Sequence, residues 1–356
     1  MKRLNVLLLF FLAALAVLAF SFPACAVEPE SGPASYRGKA RRMKSLPGWP
    51  ANLQFLSGPN GGQWFQLGEA IAQRLNRDII STSSRLGGGL SNLESVNSKT
   101  GDFAFSVTSF LHGAEADLPE FAEVDTANIA TLGEMFPQIL YVLVREDFAR
   151  RHNILTLRDL LNMKSAGSMA SLRSGSASFF AVSLLLKYGY GTGFDQLKER
   201  GWRFTLGNFT VLSDEFVSGR IDSIIFTAGS NVALVHSLVE YVPVVFLPVD
   251  LDVVERFAEE FGMYSHVMPK TSYKNMQEDV QTIGDTTNII IRKNLPDDLV
   301  FAITQNIYEY RHAIAENIPE FIEWKPALES RFASYLHPGA RKYWLSIFPP
   351  APENNP

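Results

Sequence analysis

Ser57-Gly58-Pro59-Asn60-Gly61-Gly62-Gln63-Trp64-Phe65-Gln66-Leu67-Gly68 joins a short apolar run, Leu53 to Leu56, to a stretch of helical period. Trp64, Leu67, Ile71 and Leu75 fall on one face of that stretch, predicting a helix from Gln63 to about Arg77. Glycine and proline at the junction keep side chains out of the way. Backbone N–H groups there are left at the positive end of a helix, a setting that suits a carboxylate or phosphate.

The same strand-to-helix junction recurs along the chain. Phe103 to Val107 is a strand candidate followed by Thr108-Ser109, and Gly167 to Ser171 one that leads to Ser174-Gly175-Ser176. Ile221 to Phe226 exits through Thr227-Ala228-Gly229-Ser230. Ile139 to Val144 is apolar at every position, the mark of a strand buried on both faces, as in a parallel sheet. Further strands are predicted near Ile79 to Ser83, Arg203 to Leu206, Val242 to Leu247 and Asn288 to Ile291. Helices are predicted after Gly87-Gly88-Gly89, through Ala177 to Tyr188, through Val211 to Val217, through Val232 to Leu238, and from Asp297 to Glu316. Such alternation implies an α/β protein with parallel sheets.

The N-terminus reads differently. Lys2 and Arg3 precede an unbroken apolar run from Val6 to Phe20, and Ala24-Cys25-Ala26 offers a small-residue cleavage pattern. Residues 1–26 are expected to be a secretory signal, placing the protein in the periplasm. The run is short for a membrane span. Lipid anchoring through Cys25, the only cysteine of the 356 residues, is the less favoured alternative, because Phe22-Pro23-Ala24 fits that signal poorly. Cleavage would leave a cysteine-free chain, stabilised by its core alone. It would also leave 30 basic against 37 acidic residues, a net charge of −7. That balance argues against nucleic acid as a partner. Residues 27–50, with Arg37, Lys39, Arg41, Arg42 and Lys44 among prolines and glycines, read as a solvated linker, and residues 346–356 as a disordered tail.

In open α/β sheets, ligands gather at the carboxyl ends of strands. The candidate ligand-binding residues are therefore Gly61, Gly62, Gln63, Trp64 and Phe65 at the first junction. Asn92, Ser106 and Thr108 follow at the second and third, then Arg173, Ser174, Gly175 and Ser176, and finally Thr227, Ala228 and Gly229. Arg173 is the fixed positive charge of the set and suits a carboxylate. Trp64 lies on the apolar stripe of its helix and can equally be core, whereas Phe65 is off the stripe, which favours the cleft. No phosphate-binding P-loop, dinucleotide fingerprint or zinc-ligand spacing is present, and no cofactor is expected. A binding module needs fewer assumptions than an enzyme. The competing reading is an exported hydrolase using Ser174 or Ser176 with a distant histidine; His112 and His337, the histidines nearest to notable motifs, read as structural.

These motifs together resemble the TAXI family, the extracytoplasmic solute receptors of one class of TRAP transporters. The family's Gly-x-x-Gly-Gly-x-aromatic-aromatic-x-x-Gly opening is matched by Gly58 to Gly68, its Gly-Gly-x-x-x-Asn helix start by Gly87-Gly88 to Asn92, and its Gly-Asp-hydrophobic-Ala strand by Gly101 to Ala104. Arg173 to Ser176, Asp222 to Ser230 and His337-Pro338-Gly339-Ala340 are similar to later motifs. The departures are Trp64 for a tyrosine, Met135-Phe136-Pro137-Gln138 for a Leu-Tyr-Pro-Glu-like stretch, and Arg173 for a smaller residue. The resemblance implies a two-lobed periplasmic-binding-protein fold with a hinged cleft. One lobe is expected at 51–138 plus 246–345 and the other at 139–245, with Ile139 to Val144 and Val242 to Leu247 as the crossing strands. It also implies a monomer that binds a small carboxylate or amino acid and delivers it to the TRAP permease membrane subunits.

Overall fold

The computed structural model describes residues 45–60, 62–230, 232–315, 321, 324 and 331–349. The expected signal segment, most of the linker, Gly61 and the last residues of the tail lie outside these.

Among the described residues ten strands form one mixed sheet: β1 (Asn52–Leu56), β2 (Ser81–Arg85), β3 (Phe103–Val107), β4 (Ile129–Arg145), β5 (Ser168–Leu172), β6 (Arg203–Gly207), β7 (Ser223–Ala228), β8 (Val244–Phe246), β9 (Tyr264–Met268) and β10 (Val280–Arg292). Their order is β2-β1-β3-β10-β4-β7-β5-β6, with β8 on β4 and β9 on β10. The outer strands pair in parallel, β1 with β2 and β3, and β5 with β6 and β7. Helices connect them, as parallel pairing requires.

The centre departs from the parallel expectation. Ile139 to Val144 is buried on both faces, yet it pairs antiparallel with β7 and lies in a 17-residue strand whose first part pairs antiparallel with β10. Burial on both faces reports coverage, not strand direction. Ile139, Tyr141 and Leu143 face one core cluster, with Phe216, Phe226 and Leu238; Leu140, Val142 and Val144 face the other. Burying one such side chain contributes roughly 1.5–3 kcal/mol.

The long strand β4 divides the sheet. From Ile129 to Ile139 its partner is β10, beside β3 and β1; from Ile139 to Val144 its partner is β7, beside β5 and β6. β10 accompanies it through the change of partners. Thr282 Oγ1 donates to the Leu140 carbonyl at 2.8 Å, and the β4–β10 register shifts around Asn288, a bulge that bends the pair. The outcome is a two-lobed α/β fold, with β4 and β10 common to both lobes. β8, on the stretch expected to cross, meets β4 only at Leu143 to Arg145.

Each lobe is tied at the strand ends away from the junction loops by an aspartate. Asp102 accepts from the Gln54 N–H at 2.7 Å and pairs with Arg292 at 2.7 Å. Asp222 accepts from the Ser168 N–H at 2.8 Å and its hydroxyl at 2.6 Å. His337, fully buried, donates its N–H to the Thr131 carbonyl and accepts from the Gly339 N–H, capping the helix Pro338–Ile347. That helix extends into the stretch expected to be a tail.

Candidate functional site

The strand exits meet around one cavity of about 220 Å³. Its floor comes from the two shared strands. Asp285 and Gln138 are direct partners in the β10–β4 register, and Ile283 and Leu140 lie one step further along the same strands. Alternate residues share a face, and these four all line the cavity.

The first junction supplies Pro59, Asn60, Gly62, Gln63 and Trp64 from one lobe. Among the described residues no side chain caps the helix Gln63–Asp78; the Phe65 and Gln66 N–H groups donate to the Gly62 carbonyl, which leaves the Gln63 and Trp64 amides for another acceptor. Gly68 lets this helix lie on β1, since a Cβ there would come within 2.4 Å of Ser57 Cβ. The indole of Trp64 packs 5.5 Å from the Phe105 ring and lines the cavity, so it is core and wall together.

The other lobe supplies Leu172, Arg173, Ser176 and Ala177 from the end of β5 onward, Asn208, Phe209 and Thr210 after β6, and Thr227, Ala228 and Gly229 at the end of β7. Two internal bonds fix these loops. The Thr227 N–H donates to Ser178 Oγ at 2.7 Å, and Tyr141 Oη donates to the Gly229 carbonyl at 2.9 Å. Tyr141 also meets Tyr273 Oη, which accepts from the Val232 N–H. The Arg173 side chain is exposed at the cavity edge, with no hydrogen bond or ion pair among the described residues.

Several expected site residues are elsewhere. Asn92 is fully buried; its Nδ2 donates to the Ser57 and Phe105 carbonyls, both at 2.9 Å, and its Oδ1 accepts from the Gly88 N–H at 2.8 Å. It clamps the first three junctions together and has no donor left for a ligand. Phe65, one step round the helix from Trp64, is half-buried and off the cavity wall. Ser106 points to the opposite face of β3 from Val107, which does line the cavity. Thr108 Oγ1 accepts from Asn288 Nδ2 at 3.3 Å. Ser174 and Gly175 are exposed and outside the lining. The hydrolase reading finds no nucleophile: Ser176 Oγ donates to the Arg173 carbonyl and accepts from the Phe179 N–H as a helix cap, and no histidine lines the cavity.

The strongest electrostatic feature was not anticipated. Asp285 is buried, and its carboxyl accepts from Ser109 Oγ at 2.5 Å, the Ser109 N–H at 3.2 Å and the Thr286 N–H at 2.8 Å. Burial pushes the carboxyl up to about 6, helped by the nearby acid Glu134, and the three donors only partly oppose the rise. Burial and the same Asp285 charge raise the Tyr264 hydroxyl, which donates to the Asp285 carbonyl. The sequence signal for Asp285 is thin: one acid after Ile283-Gly284 in a strand that was expected only from Asn288.

The rim is closed by contacts between the lobes. The Gly88 and Gly89 backbone lies against Gly175 and Ser176; a Cβ on Gly89, whose φ is +56°, would stand 2.8 Å from the Gly175 carbonyl oxygen. Phe180 meets the Phe110 and Phe121 rings edge-on at 5.0 and 5.5 Å. Glu120 accepts from both Lys187 Nζ and Tyr188 Oη.

Among solved structures, the chain is similar to MatC from Rhodopseudomonas palustris with bound malate, at 14% identity over 84% of this chain and 98% of that one, with a TM-score of 0.48. It is similar to a TctC solute binding protein from Polaromonas at 14% identity, over 85% and 99% of the two chains, TM-score 0.42. It is also similar to an amino acid ABC transporter substrate-binding protein from Streptococcus pneumoniae bound to L-arginine, at 15% identity over 82% and 94%, TM-score 0.36. No curated protein matches. A family match spans residues 55–345, from within β1 to within the helix Pro338–Ile347, and on that evidence this chain belongs to the NMT1-like family.

Proposed function

We propose that the protein is an extracytoplasmic receptor that captures a small organic acid or amino acid and hands it to a TRAP-type permease, as a member of the TAXI group. The observation that carries this reading is convergence. Loops separated by more than 100 residues, from Pro59 to Gly229, meet the two shared strands around one small cavity. Arg173 at the edge and the uncapped helix start at Gln63 favour an anionic group. In this reading one lobe is 51–138 plus 246–345 and the other 139–245, and the ligand closes them by touching both. Residues 1–26 act as the export signal in this reading.

The test is mass spectrometry of the small molecule released when the purified protein is denatured, followed by titration calorimetry on refolded protein. A carboxylate or amino acid recovered unchanged and rebinding with 1:1 stoichiometry is the expected result. Absence of binding to any member of a broad carboxylate and amino-acid panel would refute the reading.

A further inference from the structure

Two polar side chains on the cavity floor are not balanced by the protein. Gln138 is 9% exposed, lines the cavity and makes no side-chain hydrogen bond among the described residues. Its amide is open to the cavity, so its hydrogen-bond partner is whatever fills that space, water or ligand. Asp285, opposite it, has no basic side chain near enough to pair with among the described residues. Its Oδ1 already accepts two bonds, whereas Oδ2 accepts only the Ser109 hydroxyl. A carboxylate oxygen has room for a second donor. The pair thus presents an acceptor with negative charge and a side-chain amide to the same space.

Six apolar side chains, Leu140, Ile283, Leu185, Met263, Phe209 and Ala181, line the cavity with the pair, while Asn60, Gln63, Asn208, Thr210 and Thr227 line it from the loops and helix starts. A second carboxylate on the ligand set against the apolar side chains or the Asp285 charge would be unfavourable. The volume suits a ligand well below drug size.

We propose that the ligand is an α-amino acid with an aliphatic or aromatic side chain, its ammonium group donating to Asp285 and Gln138 and its side chain lying on the apolar wall. This rests on the receptor reading. The ammonium supplies the missing positive charge and donors, and the carboxylate is left for Arg173 and the helix start. Asp285 and Gln138 are then the residues that select for an amine.

Matched ligands isolate each part. The full chain is unfolded, freed of small molecules, refolded, and titrated calorimetrically with L-leucine, L-phenylalanine, 4-methylpentanoate, 3-phenylpropanoate, L-glutamate and succinate. The amine should improve affinity about ten- to a hundredfold over the deaminated partner, the scale of a charged hydrogen bond. Asp285→Asn should shrink that ratio towards one, and Gln138→Leu should reduce it while a thermal melt shows the fold retained. Equal binding of amine and deaminated partner, or an unchanged ratio in both variants, overturns the assignment. Preference for glutamate or succinate overturns it while leaving the receptor reading standing. Binding of none of the six, where the wider panel yields a ligand of another class, overturns it as well.

Discussion

Replacing Asp285 by Asn should make the ligand-free protein more stable at neutral pH while removing what the site recognises. The carboxyl is buried and ionises at about 6 in the folded chain, against 3.8 for an ordinary aspartate. Keeping it charged therefore costs the folded state about 3 kcal/mol above pH 6, at roughly 1.4 kcal/mol per pH unit. Asn has nearly the same shape. Its oxygen still accepts from the Ser109 and Thr286 N–H groups, and its amide donates to Ser109 Oγ once that hydroxyl turns. The charge penalty disappears and the bonds, now neutral, remain.

The pH dependence follows from the sign of the shift. Between about 4 and 6 the folded wild type holds a proton that the unfolded chain has released, so this group's contribution to stability falls as pH rises through that window. The variant has nothing to titrate there. Glu134, the neighbouring acid, and Tyr264, whose hydroxyl stays protonated throughout, are common to both proteins. Melting curves followed by circular dichroism from pH 4 to 8 should coincide near pH 4, separate up to pH 6 and run parallel above it. The neutral-pH gap should be up to about 3 kcal/mol, several degrees in Tm for a chain of this size. A gap already complete at pH 4, or a variant less stable than wild type at pH 7, would refute the claim that Asp285 is held at a cost for function.

Arg173→Ala should weaken carboxylate binding by about 1.5–3 kcal/mol and leave Tm unchanged, because the side chain is exposed and unpaired; unaltered affinity in calorimetry would remove it from the site. Gly89→Ala should lower affinity without touching the cavity wall, since its Cβ would press on the Gly175 carbonyl oxygen across the rim; small-angle scattering should then show a less compact ligand-bound form than wild type, and equal compaction would count against a rim role. Phe180→Ala removes two edge-on ring contacts with Phe110 and Phe121, each worth about 0.5–1.5 kcal/mol; the affinity of a bound ligand should fall by a comparable amount, and a loss of Tm with no loss of affinity would mark the cluster as plain core.

The loops were legible in the sequence because glycine and small residues at strand exits report backbone geometry directly. β3 was read at its observed bounds, Phe103–Val107, and the helix after Gly62 to within one residue of its end at Asp78. The shared strands were not. Gly133, Glu134 and Pro137 interrupt the apolar pattern in the first part of β4, and Asp285, Thr286 and Thr287 do so in β10. Asp285 faces the cavity, and Glu134 and Thr287 sit beside the register shift around Asn288, so hydrophobic periodicity fails there for reasons of site and strand geometry. Asn92 shows the opposite error. A polar residue at a glycine-rich helix start looks like a ligand donor, but three short bonds to backbone use its amide, and only coordinates reveal that.

The position of the polar pair has a mechanical consequence. Gln138 and Asp285 lie on β4 and β10 where β4 exchanges β10 for β7 as its partner. A ligand held there rests on the two strands that both lobes share, so those contacts exist whether the lobes are apart or together and cannot by themselves drive closure. The contacts that distinguish the two states are the ones each lobe brings separately: Gln63 and Trp64 on one side, Arg173 and Thr227 on the other. The rim adds a ligand-independent share through Glu120 with Lys187 and Tyr188 and through the Phe110, Phe121 and Phe180 rings. Amine recognition and closure are therefore separable. Changes at Asp285 should alter which ligand binds with little effect on how far the lobes close around it, whereas changes at Arg173 or the rim should alter closure for every ligand alike.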